Sequence, residues 1–231
     1  MLKGHETNGR FRLPREEPQG WLPAGVLAAR IATLQPWAAH LEPALTQRER
    51  RLAAGMGAKR RGSFTAVRLC LKDMAQSLEP ALLQVPLDRL ETLEPGRVVP
   101  RLPLSRGKFC SAAHGGNLVI ALAAERPVGA DVEPLSEKAA RGAGLFMSPR
   151  ELRLARGGKL PFALSALRIW GLKEACAKAL GLSLVQAWNG VEALSLEGPV
   201  TRASFQGDAL SARHHILDNH LLTALVTPWA R

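Results

Sequence analysis

Two carboxylates lie close together in a short segment that alternates between apolar and polar residues. In the segment VGADVE, residues 128–133, the apolar side chains fall on one face of a predicted strand, so Asp131 and Glu133 fall on the other. Residues two apart on a strand are separated by about 7 Å along the backbone. Carboxylates at this spacing could hold a hard divalent cation such as Mg²⁺, or could simply face water at the strand end.

A third acid lies in a predicted helix further along the chain. Apolar periodicity predicts a helix over residues 163–180 that ends at Gly181. Trp170, Glu174 and Lys178 recur every four residues and therefore share one face of it. Glu174 and Lys178 are either an ordinary Glu–Lys pair or a carboxylate beside a cation that can bind phosphate.

Basic residues are concentrated in the first third of the chain. The apolar positions of residues 64–78 recur at helical spacing, and the sequence places Arg61, Arg68 and Lys72 on the flank of that stripe. This pattern predicts either a solvated cationic face or a phosphate-binding surface. The basic residues are Arg48, Arg50, Arg51, Lys59, Arg60, Arg61, Arg68 and Lys72.

The remaining patterns predict an α+β protein. Residues 117–124 and 128–133 read as adjacent strands joined by a turn, and residues 191–226 as short antiparallel strands. The sequence SPRE at Ser148 is a capped helix start. Prolines recur between Glu79 and Lys108, so that span is expected to form turns and short extended pieces.

The composition is that of a globular, strongly basic protein. The 231 residues are 46% hydrophobic and 22% charged, and the net charge of +11 favours anionic partners such as phosphates, nucleic acid or an acidic protein. Aromatic residues make up only 5%, with no tyrosine, which disfavours a base-stacking nucleic-acid platform. His214, His215 and His220 have no acid or cysteine cluster beside them, so we interpret them as surface or strand residues.

Cysteine usage and hydropathy bear on where the protein works. Cys70, Cys110 and Cys176 are scattered, which predicts neither a disulfide framework nor a zinc ribbon. The amino terminus lacks the apolar core of a signal peptide, and no run reaches the roughly 20 apolar residues of a membrane span. We therefore expect a cytoplasmic protein that has no membrane contact.

The two acidic segments resemble the signatures of a known enzyme family. VGADVE at residues 128–133 and WGLKEACAKALG at residues 170–181 are similar to the motifs (V/I)G(V/I)D(I/V)E and WxxKEAxxKxxG of the 4'-phosphopantetheinyl transferases. Glu174 follows Asp131 by 43 residues, a separation that resembles the surfactin-synthetase-activating type. The likeness runs from about Arg48 to Leu184.

Two shorter segments upstream extend the resemblance. CSAAHGG at residues 110–116 is similar to the family's FNxSHS segment, although Ala113 stands where the family has serine before the histidine. Residues 64–68 resemble its FxxxR helix motif. The family's GKP element is replaced by residues 96–100, and Arg97 or the following Arg101 is the candidate for its lysine.

The resemblance implies an α+β fold of two similar lobes related by a pseudo-twofold axis. Each lobe would be a small antiparallel sheet packed with helices, and coenzyme A would bind in the cleft between them. Residues 1–124 would form the amino-terminal lobe, on the side of the coenzyme A 3'-phosphate. Residues 125–231 would form the carboxy-terminal lobe, with the metal and catalytic residues.

The resemblance also implies a reaction and a role for each site residue. The enzyme would move the phosphopantetheine arm of coenzyme A to a serine of an apo acyl or peptidyl carrier protein and release 3',5'-ADP. Mg²⁺ would be held by Asp131, Glu133 and Glu174. Glu174, directly or through a water, would be the general base, and Lys178 would meet the diphosphate. The other candidate contacts to coenzyme A are Arg48, Arg51, Arg61, Arg68, His114 and Asp131.

Partner and assembly follow from the same resemblance. Carrier proteins present acidic helices, which the basic surface would attract, and a two-lobed chain would be complete as a monomer. The competing interpretations are a basic nucleic-acid-binding module and a non-catalytic interaction domain. The latter is expected to lose one of the three acids, and all three are present.

Overall fold

The computed structural model describes residues 20–33, 41–97, 99–103 and 107–229. The amino-terminal residues 1–19, predicted above to lack a signal peptide, lie outside the described residues. None of the helices in the described ranges combines the length and the apolar character that a membrane crossing requires.

The described elements follow one another as strands and helices in both halves of the chain. The first half contains β1 (Val26–Thr33), α1 (Gln47–Ala54), α2 (Ala58–Leu78), β2 (Phe109–Gly115) and β3 (Leu118–Ala124). The second half contains β4 (Val128–Pro134), α3 (Lys138–Arg141), α4 (Ala143–Phe146), α5 (Pro149–Gly157), α6 (Phe162–Leu180), α7 (Leu184–Gly190), β5 (Val191–Glu197), β6 (Val200–Phe205), β7 (Asp208–Leu217) and β8 (His220–Val226).

The strands form two antiparallel sheets, which confirms the predicted α+β class. One has the order β1-β3-β2 and the other the order β4-β8-β7-β6-β5. The strands predicted on either side of residues 125–127 are both present, but they lie in different sheets. Val128 pairs with Val226 rather than with Ala124, so the short connection carries the chain from one sheet to the next.

The two sheets contact each other through apolar side chains of β3 and β4 and through close backbones of β2 and β4. Ile120 and Leu122 of β3 share a core with Ala130 and Val132, the apolar face predicted for β4. The backbone N–H of Ala130 also donates to Ser111 Oγ at 3.0 Å. A β carbon on Gly115 would lie 2.1 Å from the carbonyl oxygen of Val132, so only glycine permits this crossing.

Local sequence explains where the helices begin and end. Thr46 and Ser148 each close a capping box, in which the side chain accepts from the third helical N–H and a glutamate there accepts in return. The helix predicted over 163–180 is α6, and it ends at Gly181 with a left-handed φ of 65°. The predicted start of α5 and both ends of α6 are thus confirmed to within a residue, whereas α2, predicted over residues 64–78, begins earlier at Ala58.

Helix α2 differs from the expectation of a cationic flank. Arg68 and Lys72 are buried within the core rather than lying beside Arg61 at the surface. Lys72 Nζ lies 2.7 Å from Glu49 Oε2, and both side chains are 0% exposed. The spacing predicted the helix correctly, but an acid on α1 draws the lysine inward, because a buried ammonium needs an opposite charge.

Candidate active site

The acidic strand β4 and the helix α6 lie unusually close together because glycines, which have no side chain, lie at their points of contact. A β carbon on Gly129 would lie 1.8 Å from the carbonyl oxygen of Ala175. A β carbon on Gly171 would lie 2.5 Å from Thr223 Oγ1 and 3.6 Å from Asp131 Oδ2. Each glycine belongs to one of the two sequence motifs, and together they bring the two acids of the strand close to the single acid of the helix, Glu174.

Asp131 is the buried centre of this site. The residue is 5% exposed, and its Oδ1 accepts from Lys178 Nζ at 3.0 Å. Lys178 Nζ also donates to the carbonyl of Ala130 at 2.8 Å. Asp131 Oδ2 is buried and has no hydrogen-bond partner among the described residues. Burial raises the pKa of Asp131 above its usual value, although the Lys178 charge opposes this.

Glu133 is held by a tryptophan of the helix. Trp170 Nε1 donates to Glu133 Oε1 at 3.0 Å, and the indole packs against Phe146 with ring centroids 5.1 Å apart. Burial, and then the charge of Asp131, raises the pKa of Glu133. Trp170 therefore packs against the core of the second half and also orients one of the three acids.

Glu174 completes the acidic set on the helix. Its Oε2 lies 3.9 Å from Lys178 Nζ, one helical turn away. Burial raises the pKa of Glu174, and the charges of Asp131 and Glu133 raise it further against Lys178. The three acids therefore act on one another electrostatically.

The acids do not form a ready-made metal cage. Within the described ranges, no group of three or more histidine, cysteine, aspartate or glutamate side chains is arranged to hold a metal ion. Lys178 instead lies between Asp131 and Glu174. The chemistry of the donors still suits Mg²⁺, since they are carboxylate oxygens and Asp131 Oδ2 is an unsatisfied buried acceptor.

His114 approaches this site from the first sheet. It lies on β2, and burial and then the charges of Lys178 and Arg60 lower its pKa. Asp131 acts in the opposite direction on the same ring. The structure thus brings His114 into the electrostatic neighbourhood of Asp131 and Lys178, although the sequence separates them.

A cleft of about 650 Å³ lies between the two halves of the chain. Arg97, Arg101, Lys108 and Ser111 line it from the first half, and residues 177–182 of the second half, including Lys178, line it from the other side. Lys178 is therefore shared by the cleft and the acidic site. The side chain of Arg101 lies here with a buried Nε that has no hydrogen-bond partner among the described residues.

The four predicted arginines separate into two groups. Arg48 Nη2 donates to the carbonyl of Arg97, a residue of the cleft lining, at 2.8 Å, and Arg51 is exposed on the same helix. Arg61 Nη2 donates to the Met56 carbonyl at 3.1 Å. Arg68 does not lie with them, because its guanidinium is buried and donates to the Thr92 carbonyl at 2.9 Å.

Lys173, one position before Glu174, is a buried cation of α6. Its side chain is 1% exposed, and Nζ donates to Glu151 Oε2 at 2.8 Å and to the carbonyls of Phe146 and Trp188. Lys173 thereby ties α6 to the capped start of α5. The capping glutamate was visible in the sequence, but its pairing with a lysine 22 residues later was not.

The histidines interpreted as surface or strand residues do lie in strands. His214 is buried between Thr201 Oγ1 and Thr223 Oγ1, at 2.9 and 3.0 Å from its two ring nitrogens. Burial lowers the pKa of His214 well below its usual value. The ring is a neutral part of the core of the second sheet.

The second half of the chain is similar to a known protein family. Residues 127–226 match the model of the 4'-phosphopantetheinyl transferase superfamily. The match begins one residue before β4 and ends with β8, so it includes the whole acidic site on β4 and α6. No curated protein matches the chain.

Proposed function

We propose that this protein transfers the 4'-phosphopantetheine arm of coenzyme A to a serine of an apo acyl or peptidyl carrier protein, releasing 3',5'-ADP. The superfamily match over residues 127–226 supports the reaction class. The observation that carries the proposal is the position of Lys178, which donates to Asp131 and also lines the cleft. One cation thus links the cleft to a pair of motifs that resemble those of the surfactin-synthetase-activating type.

The cleft is the proposed coenzyme A site. Its lining contains Arg97, Arg101, Lys108 and Lys178 against one acid, Glu94, and this excess of positive charge suits an anion that carries several phosphates. Arg48, which donates to the carbonyl of the cleft residue Arg97, is the first candidate for the 3'-phosphate, and Arg51, Arg61 and His114 follow. We leave Arg68 out of this set, because its guanidinium donates to a backbone carbonyl in the interior.

The acids are proposed to hold Mg²⁺ through Asp131, Glu133 and Glu174. The unsatisfied Oδ2 of Asp131 is the donor that most needs a cation, and Trp170 fixes the orientation of Glu133. When bound, Mg²⁺ would neutralise charge on the diphosphate under attack. Lys178 would move from the acids toward the diphosphate, a short displacement since it already lines the cleft.

Glu174 is the proposed general base. A bound Mg²⁺ would lower the pKa of a ligating carboxylate and weaken it as a base, so the scheme allows transfer through a water as well as direct transfer. In this scheme Glu174 accepts the proton of the attacking serine hydroxyl, directly or through a water. Lys178 stabilises the charge that develops on the phosphoryl oxygens.

The remaining expectations belong to the same proposal. The chain would consist of two similar lobes that act as a monomer in the cytoplasm, with the boundary near residue 124. The net charge of +11 favours encounter with a carrier protein that presents an acidic surface around its serine.

The test is the intact mass of an apo carrier protein after incubation with this protein, coenzyme A and Mg²⁺. We expect the carrier to gain the mass of one phosphopantetheine arm, and Glu174→Gln to abolish the gain. Glu197→Gln is the matched control, since Glu197 is 68% exposed on β5 and far from the motifs in the sequence. A folded protein that neither binds coenzyme A nor modifies any of several unrelated carriers would refute the proposal.

A further inference from the structure

One arrangement of strands and helices occurs in both halves of the chain. In the first half a strand, a capped helix, a long helix and a hairpin follow in the order β1, α1, α2, β2, β3. The second half has the same order in β4, α5, α6, β7, β8, with additional elements between. In both halves the first strand pairs antiparallel with the last, as β1 with β3 and β4 with β8.

A buried lysine–glutamate pair fixes the equivalence at the level of residues. Lys72 lies 2.7 Å from Glu49, and Lys173 lies 2.8 Å from Glu151. Each glutamate is the third residue of its capped helix, and each lysine lies in the long helix. The residues of the second pair follow those of the first by 101 or 102 positions.

The remaining contacts of the two glutamates agree with this offset. Glu49 Oε1 accepts from the backbone N–H of Thr92 at 3.1 Å, and Glu151 Oε1 accepts from that of Ala193 at 2.8 Å. Ala193 follows Thr92 by 101 positions. The correspondence therefore holds in three separate segments of each half.

The same offset places Arg30 opposite Asp131. Arg30 pairs with Ala121 in the first sheet, and Asp131 pairs with Thr223 in the second. Thr223 follows Ala121 by 102 positions and Asp131 follows Arg30 by 101. On the long helices, the offset equates Asp73 with Glu174 and Ser77 with Lys178.

The equivalent residues also contact one another in the first half, but there the strand residue is a cation and the helix has a serine in place of the lysine. Arg30 Nε donates to Asp73 Oδ2, and Arg30 Nη2 donates to Ser77 Oγ. In the second half the helix supplies the cation, Lys178, and the strand supplies the acid, Asp131. In the first half the strand supplies the cation and the helix the acid. Arg30 is 5% and Asp73 15% exposed, so the pair is largely withdrawn from water.

We propose that the first half contains a counterpart of the acidic site in which the Arg30 guanidinium permanently supplies the positive charge that the second half takes from a divalent cation. This inference rests on the metal binding proposed for Asp131 and Glu174. The first half then needs no metal, because its helix acid is already neutralised. Replacing Arg30 by an aspartate would supply the missing strand carboxylate and open a second cation site with Asp73.

Mn²⁺ binding to the full chain tests the proposal. The parent carries Asp131→Asn and Glu174→Gln, which removes the site of the second half, and we expect it to bind no Mn²⁺ at millimolar concentration. Adding Arg30→Asp is expected to give one bound Mn²⁺ per chain and a rise in Tm of about 3 °C with the ion. Further adding Asp73→Asn should remove both effects. A folded Arg30→Asp variant that binds no Mn²⁺, or binding that survives Asp73→Asn, would overturn the proposal.

A second measurement decides the matter if the Arg30→Asp variant does not fold. Arg30→Ala should lower Tm by about 5 °C, and Asp73→Asn in the same chain should restore at least half of the loss, because no uncompensated carboxylate remains. If the Tm losses of Arg30→Ala and Asp73→Asn simply add in the double variant, the pairing of the two residues is contradicted. Wild-type protein that binds no Mn²⁺ would refute the proposed function, whereas the coupling between Arg30 and Asp73 can be measured regardless of that result.

Discussion

Replacing Gly129 by alanine should disrupt the acidic site without touching any of its acids. Gly129 lies on β4 where that strand crosses α6, two residues before Asp131. The added β carbon would lie 1.8 Å from the carbonyl oxygen of Ala175 and 2.6 Å from its carbonyl carbon. Both neighbours are backbone atoms in the middle of a helix, so no side-chain rotation relieves the clash.

The size of the effect follows from these distances. Since ordinary van der Waals contact begins near 3.4 Å, strand and helix must separate by about 1.5 Å. Overpacking of this kind costs about 3 kcal/mol, which lowers the Tm of a chain of this size by roughly 6–12 °C. The same displacement moves Glu174 and Lys178 away from Asp131, and a misplacement of about 1 Å can reduce turnover by roughly 100-fold.

Thermal unfolding and carrier modification by intact mass would measure the two effects. Gly144→Ala is the control, because its β carbon would have no heavy atom of the described residues within 4 Å. That variant should keep its Tm within about 1 °C of wild type. A Gly129→Ala protein with native Tm would refute the reasoning about strand and helix packing. A Gly129→Ala protein with a lowered Tm that still modifies the carrier at the wild-type rate would refute the link between that packing and the site.

Two further predictions concern the buried charges. Lys173→Met should lower the free energy of unfolding by about 3–5 kcal/mol in denaturant titrations, because it leaves the Glu151 carboxylate buried without an opposite charge. Adding Glu151→Gln should recover part of the lost free energy. Full stability of the Lys173→Met variant would contradict the prediction. The raised pKa values of Asp131, Glu133 and Glu174 mean that the folded metal-free protein binds more protons than the unfolded chain, so its stability falls as pH rises from the ordinary carboxyl range through the folded pKa values. Scanning fluorimetry should therefore show that Mg²⁺ raises Tm more at pH 8 than at pH 5. In the same assay, Glu133→Gln should raise the metal-free Tm at pH 8 and reduce the Mg²⁺ effect. Equal Mg²⁺ shifts of Tm at the two pH values would count against the acids as the binding site.

The sequence by itself determined the local structure and the content of the site. Alternation in VGADVE separated the buried face of β4 from the face that carries Asp131 and Glu133, because side chains alternate strictly along a strand. Helical spacing placed Trp170, Glu174 and Lys178 on one face of α6, and capping residues set where α5 begins. These features depend on neighbours within a few residues, which sequence periodicity describes well.

Only the tertiary structure decided which sheet each strand joins and which charges are buried. The run around residues 125–127 looked like a simple turn between adjacent strands, yet β3 and β4 belong to different sheets, because pairing with β8 satisfies the backbone of β4. The sequence pattern placed Arg68 and Lys72 at the surface, but both are buried, Arg68 against the Thr92 carbonyl and Lys72 against Glu49. The equivalent strand positions Arg30 and Asp131 carry opposite charges, and each contacts a helix residue more than 40 positions away along the chain. No local sequence pattern specifies such a distant partner.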